Sequence, residues 1–221
     1  MKKENTTEKV TDIDYAQCAV PAEGRKGFLT MFMIMLGFTF FSASMWVGQQ
    51  LAEGLDFYGF IKSLILGGMM AIDMGGPFNK AAYVFGTAAI AAGNYDIMAA
   101  VMVGGMVPPC AIALATLLFK DRFTKEERES GPTNFIMGLA FITEGAIPFA
   151  AAAPLHVLPA CIVGSGLAGA MSMAFGCTLM APHGGIFVVP VMGNAVQYVS
   201  ALVVGTVVSA VLLGVLKKKN A

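Results

Sequence analysis

Phe141-Ile-Thr-Glu-Gly-Ala-Ile-Pro-Phe149, running into alanines at 150–153, is the stretch on which the fold turns. It carries one carboxylate, with no basic residue between Arg128 and His156, beside a glycine and a proline in an otherwise apolar segment. An ionisable group at membrane depth must face a partner or a cavity, and an interrupted backbone survives there only where it is buried or lines water. The reading of Glu144 that follows is a residue of a solute site.

Composition places the whole chain in a membrane. Of 221 residues 57% are hydrophobic and 13% are charged, against about 45–50% and about 25% in a soluble domain. The charges are also segregated. Ten of the 28 lie in residues 1–26, eight in 120–129 and three at Lys217, Lys218 and Lys219, which leaves seven among the apolar segments. The first apolar run follows 26 polar residues and is too long for a cleaved signal peptide, so it reads as a retained span. Cys18, Cys110, Cys161 and Cys177 form no C-x-x-C pair and read as small core residues. Basic residues are few and mixed with acids, which excludes a nucleic-acid surface.

Taken in order, 1–26 is a polar tail without assigned structure, and 27–50 is a first span of the length that crosses a hydrocarbon core. Residues 61–92 are apolar but are interrupted by Asp73-Met-Gly-Gly-Pro-Phe-Asn-Lys80, leaving two arms too short to cross alone. Residues 97–119 span, with Pro108 and Pro109 inside; 120–134 form a charged loop. Residues 135–153 are a second interrupted segment, broken at Glu144-Gly145 and Pro148. Residues 157–179 and 191–216 span, joined through Pro182-His183-Gly184-Gly185, and 217–221 form a basic tail.

Parity gives a topology. If the Lys/Arg-rich regions are cytoplasmic, the four spans alternate and the interrupted segments 61–92 and 135–153 make no net crossing. Each is then re-entrant, one from each side, as expected of paired broken helices around a midplane site. The fold expected is all-α and polytopic, with about four full spans and two re-entrant segments in one transmembrane domain at 27–216. Both termini are cytoplasmic.

The polar groups of the interrupted segments form the candidate site. Glu144, with Thr143 and Gly145, offers acceptors and freed backbone groups to solute hydroxyls. The alternative is a structural carboxylate paired with Lys80 or capping a half-helix. In the first segment Gly75 and Gly76 permit close backbone approach, while Asp73, Asn79 and Lys80 supply polar groups. The alternative there is mutual neutralisation of Asp73 and Lys80, or a lysine reaching to an interface. His183 is a ligand-binding candidate or a hydrogen-bonded structural residue. No His/Cys set at ligand spacing suggests a metal, and no cofactor is implied.

Asp73-Met-Gly-Gly-Pro-Phe-Asn-Lys-Ala-Ala-Tyr83, Ile142-Thr-Glu-Gly-Ala-Ile-Pro-Phe-Ala150 and Ala181-Pro-His-Gly-Gly-Ile-Phe187 closely resemble three blocks of one family. It is the membrane C component of the fructose family of the phosphoenolpyruvate-dependent sugar phosphotransferase system, and the resemblance covers roughly residues 60–216. It implies a permease of the bacterial inner membrane in which the acid of the second re-entrant hairpin, here Glu144, binds sugar hydroxyls. It also implies that a phosphorylated B component on a separate chain phosphorylates the bound sugar, and that catalytic phosphoryl-transfer residues lie on partner chains. Family members are usually longer, so the resemblance implies homo-oligomerisation or a partner chain supplying further N-terminal spans. Ala153, His156 and Met180 stand where the family often has an acid, an arginine and an arginine. The function expected is translocation of fructose or a similar ketose or polyol. The rivals are an ion-coupled transporter or facilitator using Glu144 and Asp73, and a non-transporting assembly subunit.

Overall fold

The computed structural model of the chain describes residues 59–217. The tail at 1–26, the span expected at 27–50 and the end of the chain beyond Lys217 lie outside the described residues. Those described form helices and turns, with one isolated bridge between Thr178 and Gly193 and no strand. The helices are α1 (Gly59–Ile72), α2 (Pro77–Ala91), α3 (Tyr95–Leu118), α4 (Lys125–Glu129), α5 (Gly131–Leu139), α6 (Ile147–Ala152), α7 (Pro154–Ala174) and α8 (Ala195–Leu216). Short 3₁₀ turns occupy Lys120–Arg122, Thr143–Ala146 and Gly185–Val191.

Three of these helices are long and apolar enough to cross a membrane: α3 with 24 residues, α7 with 21 and α8 with 22. They correspond to the spans expected at 97–119, 157–179 and 191–216. α3 is the axis of the bundle. Its apolar window is 94% buried, against 56% for α7 and 44% for α8. The outward faces of α7 and α8 carry Leu155, Val163, Val196, Val203, Val207 and Val215, all exposed, a surface suited to lipid and not to water. α3 runs without a break through Pro108 and Pro109. A proline cannot donate to the carbonyl four residues earlier, so Gly104 and Gly105 lose their usual intrahelical partners at mid-helix. Other elements press closest there.

Small residues permit that closeness, as between helices in lipid. A Cβ built on Gly104 would lie 2.6 Å from the Cα of Gly67 in α1, and one on Gly164 in α7 would lie 2.6 Å from the Gly205 carbonyl oxygen of α8. Any side chain at these points would separate the backbones.

The direction of each element follows from its contacts. The Leu179 amide donates to the Tyr95 carbonyl at 2.9 Å, and the Asn194 side chain donates to the Phe175 and Gly176 carbonyls at 2.9 and 3.0 Å. The end of α7 therefore meets the starts of α3 and α8, and α7 runs antiparallel to both. At the opposite end the Arg122 guanidinium donates to the Val215 and Lys217 carbonyls, and Lys217 pairs with Glu127 at 2.7 Å. The charged segment and the basic end of α8 thus share one end of the bundle, called here the charged end. α4 starts in a capping box, Thr124 and Glu127 bonding each other's backbone amides. Helix extends into the segment expected to be a charged loop, through α4 and the first turn of α5.

α1 and α2 form a helical hairpin. α1 begins beside Met173 and descends along α7, and α2 returns so that Gly86 meets Met98 at the start of α3. Both ends lie opposite the charged end, and the turn between them reaches the middle of α3. The second interrupted segment is its inverse. α5 starts against Thr116 and climbs so that Gly138 meets Cys110, and α6 comes back beside α4, where Phe149 and Ala152 share a hollow with Glu126 and Glu127. At 14 and 15 residues, and 9 and 6, no arm of either hairpin reaches the length of a span.

Candidate functional site

The turn of the first hairpin is tied by its own polar groups. Met74 and Gly75 have φ of 46° and 120°, reversing the chain in two residues, and a φ near 120° is open to glycine alone at little expense. Pro77 then starts α2 at a position where no amide hydrogen is needed, so this proline begins a helix and ends none. The first amides of α2 are capped by Asp73, which accepts from Phe78 N at 2.7 Å and from Asn79 N at 2.9 Å. A carboxylate suits a helix N-terminus electrostatically as well as sterically. The Asn79 side-chain amide donates to the Met70 carbonyl at 2.8 Å, satisfying the last turn of α1, and Lys80 Nζ donates to the Gly75 carbonyl at 3.0 Å. Asp73 and Lys80 therefore hold backbone and do not pair with each other.

The turn of the second hairpin is different. Phe141 takes φ 63°, uncommon for a bulky residue, and its buried ring lies against Gly105 of α3 and Met70 of α1. The 3₁₀ turn Thr143–Ala146 follows and carries Glu144 outward, while Thr143 and Ala146 face the core. The Glu144 carboxylate makes no hydrogen bond or ion pair with any described residue, Lys80 included. Its carboxylate lies against the first hairpin, where a Cβ built on Gly75 would stand 3.0 Å from Glu144 Oε1.

The segment with Pro182, His183 and two glycines completes the site. A Cβ at Gly185, whose φ is 57°, would stand 2.8 Å from the Phe141 amide nitrogen. That glycine lets the segment lie directly on the Leu139–Phe141 turn. The His183 ring thereby lies tilted against Phe141 at 53° with centroids 5.1 Å apart, and Tyr83 of α2 approaches the same ring at 6.2 Å.

The three pieces enclose a cleft of about 540 Å³, counting its open mouth, lined by Met70, Gly75, Asn79, Lys80, Tyr83, Phe141, Ile142, Thr143, Glu144 and His183. The room inside it is about 180 Å³, smaller than the roughly 300–1,000 Å³ of sites for drug-sized ligands. Six of the nine residues singled out in the sequence line it: Gly75, Asn79, Lys80, Thr143, Glu144 and His183. The other three lie behind it. Asp73 caps α2, Gly76 gives the Asp73 carboxylate room, and Gly145 lets the turn pack on Asn134 and Met137. Among the described residues no cluster of His, Cys, Asp and Glu could hold a metal. Tyr83 and Phe141 were missed by the sequence reading. Tyr83 lies three and four residues beyond Lys80 and Asn79, on the same face of any helix that starts at Pro77, and that spacing was the signal available.

These features define the class: a helical membrane protein with a polar cleft at mid-height of its bundle, built where two interrupted hairpins meet. No family model matches the chain, and no solved structure matches it. Curated proteins do. It is 56% identical over 158 residues to the "PTS system fructose-specific EIIABC component" of Bacillus subtilis (strain 168), covering 72% of this chain and 25% of that protein. It is 56% identical over 158 residues to the "Fructose permease IIC component" of Bacillus amyloliquefaciens, covering 72% and 52%. With the "PTS system fructose-specific EIIB'BC component" of Escherichia coli (strain K12) it shares 51% over 157 residues, covering 70% and 28%. The chain thus belongs to the family of membrane C components of fructose phosphotransferase systems, and its match spans from a quarter to about half the length of these relatives.

Proposed function

We propose that the chain is the sugar-translocating subunit of a phosphotransferase system. It binds fructose or a similar ketose or polyol in the cleft and presents it to a phosphorylated B component carried on a separate chain. The observation that carries this reading is Glu144: a carboxylate with no partner among the described residues, at mid-height of the bundle, facing a turn whose own polar groups are already tied. An uncharged polyhydroxylated solute supplies hydroxyl donors to such an acceptor, and hydrogen bonds to a charged group are among the stronger ones, about 1.5–3 kcal/mol.

In this reading α1–α2 and α5–α6 are re-entrant hairpins entering from opposite faces of the membrane, and 27–50 adds a fourth span. The termini and the charged end are cytoplasmic. The shared position of 120–129 and Lys217 supports that orientation, since short basic segments stay inside. The membrane is the bacterial inner membrane, where the protein contacts lipid and functions as a homo-oligomer or beside a chain supplying further spans. Phosphoryl-transfer groups reside on the partners. The relatives whose names join B and C components support such a partnership.

The test is uptake of labelled fructose by membrane vesicles holding the chain, with and without phosphoenolpyruvate and the donor proteins. Uptake that requires both, and that fails in Glu144→Gln, is the expected result. Uptake that persists without them would establish an ion-coupled carrier or facilitator. Unchanged growth and sugar binding in Glu144→Gln would leave the chain as an assembly subunit.

A further inference from the structure

Glu144 and the tied turn give the cleft its polar side, but neither distinguishes a cyclic sugar from an open-chain polyol, because both offer rows of hydroxyls. The cleft also has an aromatic lining. Tyr83 and Phe141 both line it, with centroids 6.2 Å apart and ring planes at 36°. Phe141 is fixed: its ring is buried beside Gly105 and Met70, its backbone lies under Gly185, and the His183 ring is tilted against it at 53° with centroids 5.1 Å apart. Tyr83 leans on that fixed ring and is only half-buried, and its hydroxyl has no hydrogen-bond partner among the described residues. An aromatic surface and a carboxylate therefore line the same cleft.

We infer that Tyr83, held by Phe141, is a specificity-determining residue that selects the ring form of a sugar over open-chain polyols. The inference rests on the reading of the cleft as a sugar site and adds the class of sugar. A closed sugar ring presents its C–H bonds as one flat apolar patch on one face, with hydroxyls around the edge. The patch fits an aromatic wall while the edge hydroxyls reach Glu144. An open-chain polyol has no fixed apolar face, and it must give up several freely rotating bonds to imitate one. An aromatic platform adds to binding beyond the area it covers, and only the ring form collects that addition in full. The unpartnered Tyr83 hydroxyl can also bond an edge hydroxyl, which both ligands share and which therefore does not discriminate.

The test is equilibrium binding of labelled fructose and of labelled sorbitol, its open-chain reduction product, to the purified full chain in lipid nanodiscs. Wild type is expected to bind fructose about tenfold more tightly than sorbitol. Tyr83→Leu keeps the apolar volume but loses the ring, and is expected to weaken fructose about tenfold and sorbitol by less than about twofold, closing the gap. Tyr83→Phe keeps the ring and is expected to retain the preference while both ligands weaken together by less than about twofold. Equal affinities in wild type, or a preference that survives in Tyr83→Leu, would overturn the inference while leaving the cleft a sugar site. Binding of neither ligand to wild type would overturn both readings. The wild-type ratio needs no substitution, so misfolding of a variant does not shelter the inference.

Discussion

The two hairpins turn at the same height of the bundle and use their polar residues in opposite ways. In the first, Asp73, Asn79 and Lys80 are all bonded to backbone, so the turn closes on itself and offers the cleft a finished edge. In the second, the Glu144 carboxylate is bonded to no described residue and lies against that edge. Two carboxylates in one bundle thus differ by their surroundings alone: Asp73 meets a helix start with free amides, and Glu144 meets open space. An intramembrane acid is informative about function only once its local hydrogen bonds have been counted.

Substitutions can break that contrast. The largest effect is expected from Glu144→Gln, which keeps the shape and removes the charge. Losing a charged acceptor is worth about 1.5–3 kcal/mol, or roughly 10- to 150-fold in sugar affinity, with the melting temperature in detergent little changed because no protein bond is lost. Gly75→Ala is expected next. It forces a side chain into φ 120° and brings a methyl within 3.0 Å of Glu144 Oε1, costing about 1–3 kcal/mol, so stability and binding should fall together. Asp73→Ala should do the reverse of Glu144→Gln. Removing a helix cap costs about 1 kcal/mol and up to about 2, visible as a lower melting temperature, while affinity measured on the folded fraction changes less than about threefold. If Asp73→Ala abolished binding with stability intact, the division of labour between the turns would be wrong.

The smallest effect on binding is expected from Lys217→Met at the charged end. Its ion pair with Glu127 is well shielded, with side chains 13% and 17% exposed, and the ammonium also stands 4.1 Å from the Phe123 ring centre. The methionine keeps the contact with the ring, so the loss should be about 1.5–3 kcal/mol of stability and leave sugar affinity untouched. A binding defect in this variant would mean that the two ends of the bundle are coupled.

The hairpins were legible in the sequence because membrane segments tolerate few glycines, prolines and charges together without a reason. The clusters at 73–80 and 141–149 mark both turns, and the basic segments at 120–129 and 217–219 order them. Element ends were less legible. Pro77 reads as a breaker until its place at the first turn of α2 is seen, and Ser130-Gly-Pro132 starts α5 inside a segment that looked like loop. The capping box of Thr124 and Glu127 is spelled in the sequence as Thr-x-x-Glu. The aromatic wall was beyond reach for another reason. Phe141 touches Tyr83, Gly105, Met70 and the Gly185 segment, which come from four separate stretches of chain, and no periodicity within one stretch reports a meeting of that kind. Nor could spacing tell that Asp73 caps a helix while Glu144 stays free, since that depends on which amides each carboxylate meets.

The central claim is that the free carboxylate of the second hairpin receives the hydroxyls of a sugar. It is tested most directly by titrating labelled fructose into the purified wild-type chain and into Glu144→Gln in the same nanodiscs, with melting curves taken on both. Saturable binding by wild type and a loss of at least about tenfold in the variant, with coincident melting curves, is the expected result. Equal affinity in two equally folded proteins would contradict the account.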